Sequence, residues 1–114
     1  MLSLDVLRNA GEDVATGLAN SGNDEASYLR LVEKALHQYD LVDLGEMLDG
    51  KDYDLALEEA KKVQEAYAFL GLTSFTTPLN ELIQKMSAGA DEYSYLYLLA
   101  KLKNARLNLL VASF

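Results

Sequence analysis

Few side chains in this sequence can carry chemistry. There is no cysteine, which removes disulfides, thiolate metal sites and thiol nucleophiles together. His37 is the only histidine. It stands among Glu33, Lys34 and Asp40 with no evident partner, so nucleophilic catalysis has little to work with. Paired metals in helical proteins are held by Glu-x-x-His pairs projecting inward, and one histidine cannot supply two of them. No glycine-rich phosphate loop, nucleophile elbow or EF-hand pattern occurs. The residues therefore describe a protein that is not an enzyme, with no catalytic residue, metal or cofactor. What remains is the stretch "KDYDLALEEAKKVQEAYAFLGL", residues 51–72, in which Lys61, Gln64 and Glu65 stand on the exposed side of a helix.

That helix must be held by others, and the chain is punctuated for them. Residues 3–9 and 12–19 read as short helical pieces parted by Gly11. Asn23 is placed to cap a long helix, with Asp24 and Glu25 at its positive end. Tyr28, Val32, Ala35 and Tyr39 then recur at helical spacing, while Leu41, Leu44 and Leu48 lie on another flank. Either the helix bends near Asp40 or its two halves face different neighbours. Asp52 caps the next helix, whose core stripe is Ala56, Ala60, Val63, Tyr67 and Leu70 and which closes at Gly71. Thr73, Ser74 and Thr77 compete to cap a fourth helix through Met86, and Pro78, tolerable only in a first turn, sets its start near 74–78. Gly89 ends it, and Asp91 caps a last helix to about Ala112. No period-2 alternation marks a strand. The expected architecture is all-α: an antiparallel four-helix bundle with short N-terminal helical segments, forming one domain over residues 1–114.

Composition narrows the partners. The 114 residues are enough for a core without staples, and half of them are apolar. A net charge of −8, from 18 acidic and 10 basic residues, opposes binding to nucleic acid or anionic lipid. The N-terminus lacks the basic start and apolar block of a signal peptide. The longest apolar run, "YLYLLA" at Tyr95–Ala100, is six residues and far short of a membrane span. The expectation is a soluble, cytoplasmic protein.

Residues 51–86, "KDYDLALEEAKKVQEAYAFLGLTSFTTPLNELIQKM", resemble the histidine phosphotransfer (Hpt) domain family. Its members are four-helix bundles that relay a phosphoryl group between receiver domains in two-component signalling. The spacing matches without a gap. Asp52-Tyr53 stands for the family's Asp-aromatic pair, Ala60 for the Ala before the phosphorylated histidine, and Val63 for the Leu after it. Gly71 matches the closing Gly, Phe75 the first apolar residue beyond, and Leu82 the later Leu. The departures fall on the active face: Lys61 stands at the histidine position, Gln64 at the family's Lys, and Glu65 at the small residue, usually Gly.

These exchanges are incompatible with relay. An imidazole is neutral near pH 7 and makes a labile phosphoramidate, whereas a solvated lysine, with a pKa near 10.4, leaves only about one amine in a few thousand unprotonated. Glu58 and Glu65 flank Lys61 and favour its charged form. The resemblance thus implies a degenerate member lacking the phosphoacceptor: a non-catalytic module that docks a response-regulator receiver domain or a histidine kinase through Lys61, Gln64, Glu65 and Ala68. Val63 and Tyr67 belong to the core beneath. The plain reading of the same residues is a solvated face with the pairs Glu58–Lys62 and Lys61–Glu65, each contributing at most a few tenths of a kcal/mol. Two alternatives stand beside these: an active phosphotransfer protein using His37, and an unrelated acidic helical adaptor or scaffold.

The last helix adds one feature. Its polar stripe is narrow (Tyr97, Lys101, Asn104 and Asn108), and its apolar arc, from Leu96, Leu99 and Leu102 to Leu109 and Leu110, is wider than one core demands. A central helix touched by several neighbours accounts for that. So does a homodimer through the C-terminal helix, formed by Tyr93, Tyr95 or Leu107.

Overall fold

Side-chain caps mark where the chain begins four of its helices. Ser3 Oγ accepts from Val6 N at 3.1 Å to open α1 (Leu4–Asn9), and Asp13 accepts from Thr16 N at 3.2 Å to open α2 (Val14–Asn20). Asp24 accepts from Ser27 N at 3.3 Å at the head of α3 (Glu25–Gln38), and Asp91 from Ser94 N at 2.9 Å at the head of α7 (Glu92–Ala112). Each removes one orphan N–H from a first turn. The expected cap Asn23 instead adopts a positive φ of 59° and turns the chain, which an asparagine does at little cost, and the carboxylate after it takes the cap.

The remaining helices are α4 (Val42–Asp49), α5 (Tyr53–Phe69) and α6 (Thr73–Ala88). The computed structural model describes residues 1–113, and among them there is no strand. The described residues are therefore all-α, with seven helices among them where four long ones and two N-terminal pieces were expected. The difference lies at Tyr39–Leu41. There the long second segment breaks, with Leu41 at φ 71° and Asp40 accepting from Val42 N at 3.1 Å. Burial of the Leu41 side chain offsets the strain of its left-handed backbone. The break resolves why two apolar stripes were out of phase: Tyr28, Val32 and Ala35 on α3, and Leu44 and Leu48 on α4, are buried on separate helices.

Asp52 occupies the cap position of α5, but its side chain makes no cap bond. At α6 none of Thr73, Ser74 and Thr77 caps its own helix; the cap position is Leu72 and the helix starts at Thr73. Pro78 is then the sixth helical residue, in the second turn rather than the first, where its missing N–H leaves the Ser74 carbonyl without its usual donor. Gly71 (φ 70°) and Gly89 (φ 73°) close α5 and α6 in the left-handed region as their positions require.

Packing joins α5 to α6, α6 to α7, and α4 to both α5 and α7, while α2 lies against α3 and α5 and α1 against α7. Ala56, Ala60, Val63, Tyr67 and Leu70 of α5 are all buried. Tyr67 stacks on Phe75 at 4.2 Å between ring centroids and meets Tyr39 edge-on at 6.1 Å. Its hydroxyl donates to Tyr39 O at 3.1 Å and Ala35 O at 3.3 Å, tying α5 to the end of α3. Arg106 Nε of α7 donates to Leu36 O at 2.8 Å and satisfies a third carbonyl there. Among the described residues no helix is long and apolar enough to cross a membrane.

Two outcomes follow from this packing. At Gly17 an added Cβ collides with Leu70 O and the Tyr28 ring, whereas at Gly22 it meets nothing and only the φ of 78° resists it. Gly17→Ala is expected to lower stability by about 3 kcal/mol or more and Gly22→Ala by about 1 kcal/mol, read as urea midpoints. The cap hydrogen bonds hold the carboxyls of Asp24 and Asp91 below their usual pKa. A depressed folded-state pKa contributes stability above the unfolded value near 3.9 that is lost as pH falls through the folded one. Unfolding titrations should therefore show a decline below about pH 4, shallower in Asp91→Asn, which keeps an acceptor but cannot titrate.

Candidate docking face

The outer side of α5 is set by its inner one. With Ala56, Ala60, Val63 and Tyr67 turned inward, Lys61, Glu65 and Ala68 are exposed and Gln64 is half-buried. Spacings of three and four residues place these four side by side along one stripe. Val63 and Tyr67 are buried beneath it. The expected pairs Glu58–Lys62 and Lys61–Glu65 are not closed: among the described residues the one ion pair within 4 Å is Arg8–Asp5, at 3.4 Å. Solvated chains this long give up more rotamer freedom on pairing than screened attraction returns. The face therefore presents separate charges.

What holds the stripe in place is the corner where α5 meets α6. Asn20 Nδ2 donates to Phe69 O at 2.8 Å, the Tyr28 hydroxyl to Leu70 O at 2.7 Å, and Asp13 N to Gly71 O at 2.7 Å. Burial first, then the charges of Glu12 and Asp13, push the Tyr28 phenol up to about 12, so it remains a donor throughout the neutral range. Glu12 completes the corner. Buried in the α1–α2 turn, it accepts from Ser74 N at 2.9 Å and Ser74 Oγ at 2.6 Å, supplying from a distant segment the cap that α6 lacks. Thr73 Oγ1 donates to Gly11 O at 2.8 Å beside it.

His37 is exposed on α3, at the rim of a hollow shared with Glu33, Leu2 and Leu110 whose lining includes no residue of α5. Two further hollows had no clear mark in the sequence. One lies between α3 and α5, where Leu31 and Phe69 remain 39 % and 49 % exposed across Ala66 and Gln38. The other, about 580 Å³, lies between the start of α6 and α7, with Thr77 and Pro78 facing Lys101, Asn104 and Asn108. The polar stripe of α7 was visible as spacing; that α6 faces it was not. Comparison with protein-family models, with curated proteins and with solved structures returned no match.

Removing the Glu12 carboxylate leaves the Ser74 amide and hydroxyl of α6 without their acceptor in a part-buried corner. Glu12→Ala is expected to cost about 1–3 kcal/mol in chemical denaturation, and Glu12→Gln, which keeps one acceptor, less.

Proposed function

We propose that this chain is a non-catalytic signalling module whose α5 stripe, Lys61, Gln64, Glu65 and Ala68, docks a receiver domain of a two-component pathway. In this reading α3 and α4 together stand for one helix of an Hpt-like bundle, α5, α6 and α7 for the other three, and α1–α2 are strapped to one end. The observation that carries it is the open stripe itself: at the acceptor's position in the family pattern stands an exposed Lys61, above the intact apolar row Ala60, Val63 and Tyr67. A cationic amine held on a rigid helix cannot take up a phosphoryl group at neutral pH, but it can reach into the cluster of carboxylates at which a receiver is phosphorylated. The interaction is then an occupation of the receiver's site rather than a transfer from it.

The test is titration of the chain with unphosphorylated receiver domains from its own organism. Binding by at least one, weakened on the order of tenfold by Lys61→Glu and by Ala68→Arg, is the expected result. Both substitutions lie on exposed positions, so an unchanged urea midpoint separates lost docking from lost folding. Binding to no receiver sinks the proposal, and acid-labile phosphate appearing on His37 after exposure to a small phosphodonor replaces it with relay from α3.

A further inference from the structure

We draw no further inference here: the strongest candidate, the hollow between the start of α6 and α7, has polar side chains that are either exposed (Thr77, Lys101, Asn104 and Asn108) or already bonded to Gly11 and Glu12 (Thr73 and Ser74), so nothing in the structure shows what covers it.

Discussion

Three successive carbonyls at the end of α5, those of Phe69, Leu70 and Gly71, each receive a donor from outside the helix. A helix C-terminus ordinarily leaves such groups to water or to its own following residues. Here the donors come from Asn20, Tyr28 and Asp13, so the N-terminal third of the chain is fastened to the middle by the groups the middle could not satisfy alone. The fit is steric as well as polar. Gly71 lies so close to Asp13 O, and Gly17 to Leu70 O, that neither position has room for a side chain. The register of α5 follows from this corner: with its last turn fixed and Tyr67 held by Ala35 O and Tyr39 O, the angle at which Lys61 meets solvent is no longer free.

Glu12 extends the same logic to α6. Carboxylates are rarely buried without partners, and this one has Ser74 N, Ser74 Oγ and a more distant Thr73 Oγ1 around it at a positive helix end. One side chain thus solves two problems: α6 begins without a capping side chain of its own, and the α1–α2 turn needs an anchor. Segments that would be short, marginal helices in isolation become part of the core's support.

Periodicity made much of this legible and stopped at identifiable places. The stripe Ala56–Ala60–Val63–Tyr67 shows in the sequence because one face of α5 is polar, and the exposure of Lys61, Glu65 and Ala68 follows by subtraction. Gly71, Gly89 and Asp91 act where their chemistry requires. The break at Leu41 was visible only as two stripes out of phase, since nothing marks a leucine for a positive φ. The capping of α6 by Glu12, across some sixty residues, has no local signature at all. In α7 the apolar residues run nearly all the way round, so spacing could not decide which of Tyr95 and Leu96 is core. The neighbours decided it, with Tyr53 and α6 taking Tyr95 and leaving Leu96 outside. The hollows on either side were hidden for the same reason, because they are defined by which helices lie adjacent.

Electrostatics constrains any acidic partner of the α5 face. The chain carries −8, and a receiver's phosphorylation site is itself a cluster of carboxylates, so the two repel at long range. At physiological salt that repulsion is damped beyond about 8 Å, and at contact Lys61 and Lys62 are the nearest cations on α5. Exposed ion pairs contribute little to affinity, so the lysines can select orientation but cannot hold a complex together. Holding it falls to apolar surface within reach of the stripe. Phe69, half exposed at the end of α5 with Leu31 across the groove on α3, is the surface available. In the proposed complex the aromatic end of α5 would hold the partner and the charged middle would align it.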